Sequence, residues 1–185
     1  MRILAYALVL LAAAFALIYV VGRSLPLSHV ASLGERFDAP RDSVFAVLEG
    51  VADYPMWRRD VTRVEILPPV AGNPSWREIS GRDRVEYVAD QVVAPERWVT
   101  RITSEGLPYG GRWIFELTPD SGGTRVTITE EGEIYNPLFR FMMTYVFGST
   151  MTIERYLDDL RKRVARHRSG DRRLSAALEP RPVQR

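Results

Sequence analysis

Carboxylates, tyrosines and arginines are the side chains of this sequence that could do chemistry inside a folded domain. The 185 residues contain no cysteine and only two histidines, His29 and His167. Both histidines fall just outside residues 30–166, the segment in which the sequence predicts a folded domain. Within that segment the composition argues against a Ser-His-acid triad, a Cys-His pair, a histidine metal site and a disulfide.

Glu130 is the candidate catalytic residue. In its predicted strand, the alternation that turns Val126 inward also turns Glu130 inward, and an inward carboxylate in a cavity can serve as general acid or base. Two alternatives stay open. A bulge near Gly132 would change the face that Glu130 occupies, and a position at the rim would pair it with Arg101 or Arg112.

The acidic group around Glu130 does not indicate a cation site. Glu130, Glu131 and Glu133 lie on one strand end and lack the spaced oxygen-rich loop that hard cations prefer. We therefore predict neither a metal nor a cofactor.

Aromatic residues on the predicted strands are candidates for contact with an apolar ligand. Trp113 alternates with Phe115, so their shared face is apolar and inward. Tyr87 could offer its hydroxyl to a ligand carbonyl. Trp98 lies on the predicted strand between those of Tyr87 and Trp113. The alternative for each is a plain core position.

The first half of the predicted last helix combines methionine and aromatic side chains, which suit an adaptable apolar pocket. Arg140 in this stretch could pair with a ligand carboxylate or phosphate, or extend its charge to solvent. Gly148 could bend the helix or leave space beside it. A filled core would need the same residue types. The ligand-binding residues predicted from strands and helix together are Tyr87, Trp98, Trp113, Phe115, Arg140, Phe141, Met142, Tyr145 and Gly148.

The N-terminus carries an apolar run that could cross a membrane. Residues 3–22 contain no charge and are bracketed by Arg2 and Arg23. Twenty helical residues span the hydrocarbon core of a bilayer. The alternative is a cleaved signal peptide, whose apolar region is normally shorter. We predict an uncleaved anchor in residues 1–23, with the domain outside the cytoplasm by the positive-inside rule.

The hydrophobic period changes twice along the domain. After a connector at 24–29, a loose strand pattern covers 30–37, and a short amphipathic helix follows Pro40. A second helical turn around Tyr54-Pro55 leads to Trp57, which we expect to be structural because an aromatic ring there buries a large area. Six strands joined by short turns then predict an antiparallel meander; the predicted strands are 61–67, 75–80, 84–93, 98–104, 112–117 and 124–134.

A long final helix is predicted from Asn136-Pro137 to about Arg166, with asparagine as the cap and proline in the first turn. Residues 138–153 are apolar on nearly all sides, which predicts that this half is enclosed. The stripe of the second half is Ile153, Leu157, Leu160 and Val164.

The C-terminal tail, residues 167–185, is predicted to be disordered because no hydrophobic period remains. Residues 161–185 hold nine Arg or Lys and two acidic residues, whereas the rest of the chain is net acidic. A basic tail could meet an anionic membrane surface or a nucleic acid. We predict no nucleic-acid partner, since aromatic residues are not interleaved with the basic ones.

Several segments, in this order, resemble the START and Bet v 1-like (SRPBCC) superfamily, and within it the bacterial polyketide cyclase/dehydrase-like branch. They are residues 37–45 (FDAPRDSVF), 53–57 (DYPMW) with 61–65, the hairpin 113–117 to 123–129, and 131–134 (EGEI). The resemblance implies an α+β helix-grip fold: a curved antiparallel sheet of about seven strands, wrapped on a long C-terminal helix, with two short helices. Here a transmembrane helix would precede it, in a bacterial inner membrane with the domain on the periplasmic side.

The resemblance also implies a cavity between the sheet and the long helix for an apolar molecule. The function predicted is therefore a membrane-anchored protein that binds a hydrophobic small molecule or lipid. A first alternative is a metal-independent cyclase, dehydratase or hydrolase that uses a cavity carboxylate or tyrosine. A second is a non-catalytic interaction module whose core is filled.

Overall fold

The N-terminal helix is exposed along most of its length and meets the remainder of the chain only near its end. The structure is a computed structural model that describes the backbone of residues 2–178 and the side chains of 2–146 and 148–166. Helix α1 spans Arg2–Ser24. It is the one helix in the described range that is long and apolar enough to cross a membrane. None of its apolar window is buried against protein. The predicted N-terminal apolar helix is confirmed.

Seven antiparallel strands form a single sheet, in the order β1-β7-β6-β5-β4-β3-β2. All seven predicted strands are confirmed; their bounds are β1 Ser28–Phe37, β2 Arg63–Val70, β3 Asn73–Ser80, β4 Asp83–Val93, β5 Arg97–Ile102, β6 Tyr109–Asp120 and β7 Gly123–Ile134. Strands β2 to β7 follow one another as a meander, because turn sequences of a few residues separate them. Strand β1 instead pairs with β7, so the long connection through the short helices crosses from one sheet edge to the other.

Every strand differs from its predicted bounds by one to three residues at one end or both, and two of these differences affect the turn after β2 and the start of the domain. Strand β2 continues through Pro68-Pro69, and the turn lies at Ala71 and Gly72, both with positive φ. Proline is tolerated there because β2 is an edge strand, whose outer N–H groups need no sheet partner. Strand β1 begins at Ser28, two residues before the predicted domain boundary.

Both predicted short helices are present between β1 and β2. Helix α2 spans Arg41–Glu49 and follows Pro40; it buries Val44, Phe45, Val47 and Leu48. A 3₁₀ helix, Val51–Met56, contains Pro55. Trp57 ends it and is buried, with its ring edge-on to Tyr54 at 5.3 Å and to Tyr156 at 5.4 Å. Trp57 therefore joins the 3₁₀ helix to the last helix, as a structural role requires.

The last helix is interrupted, although the sequence predicted one continuous helix. Helix α3 covers Pro137–Met142 and is capped by Asn136, whose Oδ1 accepts from Leu138 N at 2.9 Å and Phe139 N at 3.2 Å. A π-helical turn, Met143–Phe147, follows. Gly148 then adopts φ 80° and ψ 157°, a conformation open to glycine and outside any helix.

Helix α4 starts after the break and packs on the sheet. It spans Met151–Leu178, beyond the predicted end near Arg166. The predicted stripe of Ile153, Leu157, Leu160 and Val164 is buried and shares one core with sheet residues such as Val126 and Ile128. Residues 167–178 of the predicted disordered tail continue α4 as helix. Disorder of residues 179–185 stays a prediction, because they lie outside the described residues.

The segment before the break is not enclosed, which corrects the prediction for its all-round apolar sequence. Tyr145 and Val146 keep 61% and 58% of their surface exposed, and Phe139 keeps 38%. The segment lies against the end of α1: a Cβ on Gly22 would overlap the Pro137 carbonyl. All-round apolarity therefore signals here a surface that the described chain leaves uncovered.

Replacement of Trp57 by alanine should destabilise the fold strongly. The change removes a buried ring that contacts both the 3₁₀ helix and α4, and such truncations cost about 3–5 kcal/mol. The neighbour Met56 is 69% exposed, so Met56→Ala should change the free energy of unfolding by about 0.5 kcal/mol or less. Urea titrations followed by circular dichroism would measure both, and equal losses in the two variants would contradict the role of Trp57.

Candidate functional site

A cavity of about 370 Å³ lies between the sheet and α4. Strands β3 to β7 supply most of its wall, and Met151, Thr152 and Tyr156 of α4 supply the opposite side. Phe139 and Met143, from α3 and the π-helical turn, also line it. The volume falls in the range of pockets that hold small molecules. The space between sheet and helix is therefore not filled by side chains.

Aromatic rings form the inner wall of this cavity. The Trp76 ring stacks on Tyr87 with centroids 5.7 Å apart and planes at 16°. Trp113, Phe115 and Tyr156 pack against one another with centroid distances of 5.3–6.0 Å. Such a wall offers large, rigid apolar faces at low cost in conformational entropy.

A buried ion pair occupies the floor of the cavity. Arg58 Nη1 donates to both carboxylate oxygens of Glu78, at 3.0 and 2.9 Å, and Trp76 Nε1 donates to Glu78 Oε1 at 3.0 Å. The Arg58 guanidinium also lies over the rings of Tyr54 and Tyr156, at 5.1 and 5.0 Å from their centroids. Contacts between a cation and an aromatic face add to the attraction of the carboxylate.

Burial governs the protonation of the groups around this pair. Burial raises the pKa of Glu78 against the opposing charge of Arg58. Burial is the largest single effect on Arg58 and lowers its pKa, but Glu78 together with Tyr156, Asp60 and Tyr54 outweighs burial, so the Arg58 pKa is raised. Burial also raises the pKa of the hydroxyls of Tyr54, Tyr87 and Tyr156, so these stay protonated at neutral pH. The tyrosines are therefore neutral hydrogen-bond donors.

Glu130 faces the cavity, as strand alternation predicted. The pairing of β7 with both β1 and β6 runs without a shift through Gly132, so no bulge turns the side chain outward. Glu130 Oε2 accepts from Thr152 Oγ1 at 2.9 Å, and its Oε1 lies 3.5 Å from His29 Nε2. The expected pairing with Arg101 or Arg112 is wrong.

Those two arginines bind other carboxylates. Arg101 Nε donates to Asp90 at 2.6 Å, and Arg112 Nε donates to Glu131 at 2.6 Å. Both pairs lie on the opposite face of their strands from Trp113 and Glu130, which explains why neither can reach the Glu130 side chain.

His29 belongs to the cavity, which corrects the exclusion of histidine chemistry from the domain. It lies in β1 opposite Gly132, and its ring occupies the space where a Cβ on Gly132 would be. Its Nδ1 is buried and has no hydrogen-bond partner among the described residues. The error came from the strand boundary, because the sequence pattern placed the start of β1 one residue after His29.

The predicted ligand-binding residues divide into two groups. Tyr87, Trp113 and Phe115 line the cavity. Trp98 is buried in the core behind the wall, where its ring stacks on Trp76 at 6.2 Å. The other predicted residues lie outside the cavity lining, on α3, the π-helical turn and the break: Arg140, Phe141, Met142, Tyr145 and Gly148.

Arg140 has a structural partner. The residue is buried, and its Nη1 donates to the carbonyl oxygen of Leu25 at 2.8 Å. This contact ties α3 to the residue that follows α1. The guanidinium is therefore placed toward the connector, away from the cavity in which a ligand carboxylate was expected.

Arg58 and Glu78 were missed by the sequence analysis, although a signal for Glu78 existed. Trp76 and Glu78 are two residues apart on β3 and therefore share its buried face. A carboxylate on an apolar strand face needs a partner. Nothing in the local pattern around Arg58 indicated that it was this partner. Arg58 lies just after the 3₁₀ helix and is 20 residues away from Glu78 in the sequence.

The cavity lining carries more acidic than basic side chains. The acidic residues that border it are Asp60, Glu78, Glu130, Glu131, Glu133 and Asp159, and the basic ones are Arg58, Arg112 and Arg155. Strand alternation turns the side chains of Arg112, Glu131 and Glu133 to the outer face, so four acidic residues remain against Arg58 and Arg155. Arg58 is already paired with Glu78, and Arg112 with Glu131. Within the described residues, no group of three His, Asp or Glu is placed to hold a metal ion.

Comparisons with known proteins agree with this geometry. A family model described as "Polyketide cyclase / dehydrase and lipid transport" matches residues 31–165. No curated protein sequence matches the chain.

Solved structures share the fold at low sequence identity. A START superfamily protein from Mycobacterium smegmatis is 15% identical with a TM-score of 0.61, and the match covers 75% of this chain and 98% of that one. The Zhui aromatase/cyclase of Streptomyces sp. R1128 has the same identity and TM-score, with 75% and 94% covered. Norcoclaurine synthase from Thalictrum flavum is 13% identical with a TM-score of 0.59, with 76% and 96% covered. The helix-grip fold is confirmed.

Removal of one member of the Arg58–Glu78 pair should destabilise the protein more than removal of both. Arg58→Met leaves a buried carboxylate without its cation and should lower the free energy of unfolding by about 3–5 kcal/mol. Arg58→Met with Glu78→Met should regain much of that loss, because no charge is left buried. Arg63→Met, at an exposed pair with Glu65, is the control and should cost about 1 kcal/mol or less. Urea unfolding measures all three, and additive losses in the double variant would contradict the coupling.

Proposed function

The chain belongs to the polyketide cyclase/dehydrase and lipid transport family, and from that premise we propose that it binds an apolar small molecule or lipid in its cavity while α1 anchors it to a membrane. The observation that carries the proposal is the unfilled cavity of about 370 Å³ with its aromatic wall. A filled interaction module would lack this space.

The charges of the lining restrict the class of ligand. Carboxylates outnumber guanidinium groups, and Arg58 and Arg112 already have carboxylate partners. A ligand carboxylate or phosphate would meet net negative charge inside the cavity and, away from the exposed Arg155, would have to displace one of these partners. The lining supports an uncharged molecule, or one with a cationic group, attached to an apolar body.

Tyr87 supplies a hydroxyl for the polar end of such a ligand. Its ring lines the cavity and is held by the stack on Trp76. No hydrogen bond to this hydroxyl is present from the described part of the chain. A neutral phenol that is fixed in orientation can donate to a carbonyl, ether or hydroxyl oxygen of the ligand.

An anchor helix suits a ligand of this kind. Sparingly soluble molecules concentrate in the bilayer, and a tether holds the cavity beside them at a high effective concentration. We propose an uncleaved α1 in the inner membrane, with the domain on the periplasmic side as the flanking arginines favour.

A second candidate function is general acid–base catalysis on the bound molecule. The observation that favours it is the placement of Glu130 in the cavity wall, within 3.5 Å of His29 and bonded to Thr152. A carboxylate and an imidazole at this distance can share or pass a proton, and both border the space where a ligand would lie.

Ligand capture tests the first function. The intact protein, incubated with membrane extract in mild detergent, is examined by native mass spectrometry, and bound molecules are identified after release. We expect an uncharged or cationic apolar molecule. Tyr87→Phe should lose about 1 kcal/mol of binding, a several-fold lower affinity, because one hydrogen bond is removed. Tyr135→Phe is the matched control, since that hydroxyl donates to Glu133 at the surface. No bound molecule in the wild type would overturn the proposal.

Glu130→Gln separates the two functions. The amide keeps the size of the side chain and can still pair with Thr152, but it cannot act as a general acid or base. For a catalyst we expect the variant to retain the captured molecule and to lose its conversion by about 100-fold or more. The measurement compares the captured molecules and their products, by mass spectrometry, between wild type and variant. Equal conversion in both proteins would remove Glu130 from catalysis and leave the binding function in place.

A further inference from the structure

The surface before the helix break exposes apolar side chains next to the anchor helix. Tyr135, Phe139, Tyr145 and Val146, which we call the α3 surface, keep 48%, 38%, 61% and 58% of their area exposed. Phe139 lies in α3, and Tyr145 and Val146 lie in the π-helical turn that follows it directly. Single exposed apolar residues are common, but several of them within one short segment indicate a contact with another apolar phase.

Close packing fixes the end of α1 against helix α3, which carries part of this surface. Gly22 is the buried residue of α1, and its lack of a side chain lets the Pro137 carbonyl approach the helix backbone. The Arg140 guanidinium, itself buried, donates to the Leu25 carbonyl at 2.8 Å. The two contacts lie on either side of Arg23-Ser24, where α1 ends. They leave α3 little freedom to move away from the end of α1.

The length of α1 places that junction at a membrane interface. Its 23 residues rise about 34 Å in a helix, close to the thickness of the hydrocarbon core of about 30 Å. Arg2 and Arg23 stand at its two ends, where charged side chains reach the head groups. When α1 spans the bilayer, α3 must therefore lie at the level of the head groups. Tyrosine is enriched at that depth because its ring is apolar and its hydroxyl is polar.

We propose that the α3 surface docks on the bilayer that holds α1, as a second membrane contact of the domain. The proposal rests on the anchoring function of α1 proposed above. The occupant is the lipid bilayer itself, because the end of the apolar helix α1 packs against α3 and so brings this surface to the membrane. Phe139 and Met143 of the same segment line the cavity. The contact therefore places the segment between the cavity and the lipid, so that an apolar ligand can pass without crossing open water.

The absence of cysteine allows a direct test on the full-length chain. Single cysteines are introduced at exposed apolar positions of similar size and labelled with an environment-sensitive fluorophore. Val146→Cys reports on the α3 surface. Leu11→Cys, 68% exposed in the middle of α1, reports on the anchor, and Ile66→Cys, 64% exposed on the edge strand β2, is the control. Each labelled protein is reconstituted into vesicles of phosphatidylcholine and phosphatidylglycerol, with and without nitroxide lipids that quench nearby fluorophores.

Docking of the α3 surface predicts apolar environments at two of the three positions. The labels at 146 and 11 should emit at shorter wavelength in vesicles than on the unfolded protein in buffer without detergent. Nitroxide lipids should quench both labels. A label at 146 quenched by head-group nitroxides, with 11 quenched by acyl-chain nitroxides and 66 unaffected, supports the proposal.

Three results would overturn it in different ways. A label at 11 in the acyl region with a label at 146 in water would reject the docking and leave the anchor intact. A label at 11 that stays in water would reject the anchor and, with it, the docking. Equal quenching at 146 and 66 would also reject the specific contact, since the opposite edge of the sheet would then behave in the same way.

Discussion

The buried contact between Arg58 and Glu78 is the constraint on which the cavity depends. It joins the segment after the 3₁₀ helix to strand β3, and the same guanidinium lies on the Tyr156 ring of α4. Arg59 adds a second link, donating from its backbone and its Nε to Asp159 at 3.1 and 2.8 Å. A buried charge cannot lose its partner without a large cost. The helix is therefore held at a fixed distance from the sheet, and the core cannot collapse into the space between them.

The break at Gly148 divides the C-terminal region into two parts with different partners. Helix α4 packs on the sheet through Ile153, Leu157 and Leu160, which are buried. The segment before the break packs instead against the end of α1. A continuous helix would have to pack on the sheet and on the end of α1 along a single axis. The left-handed φ of Gly148 removes that requirement, so the segment that covers one end of the cavity can follow the orientation of the anchor.

The strands and their faces were predictable because the information is local. Alternation of period two gave all seven strands, and it placed Glu130 on the inner face correctly since the register runs unbroken through Gly132. Gly148 was named as a possible bend, but the exposure of the segment before it was missed, because residues 138–153 keep an apolar character throughout and apolarity does not distinguish protein from lipid as the neighbour. The Arg58–Glu78 pair was missed because its members are 20 residues apart in sequence and meet only through the tertiary fold. His29 was missed by one residue at a strand boundary.

The polar floor and the apolar wall of the cavity place different demands on a ligand. The wall of Trp113, Phe115 and Tyr87 favours a ligand with a large apolar surface. The charges of the floor are already paired, and the floor offers neutral hydroxyl donors. A purely apolar ligand would leave the Tyr87 hydroxyl without an acceptor, and an anionic one would compete with Glu78 for Arg58. A molecule with an apolar body and one uncharged oxygen acceptor satisfies both regions. Such molecules partition into bilayers, so the selectivity of the interior and the anchoring proposed for α1 favour the same class of ligand for separate physical reasons.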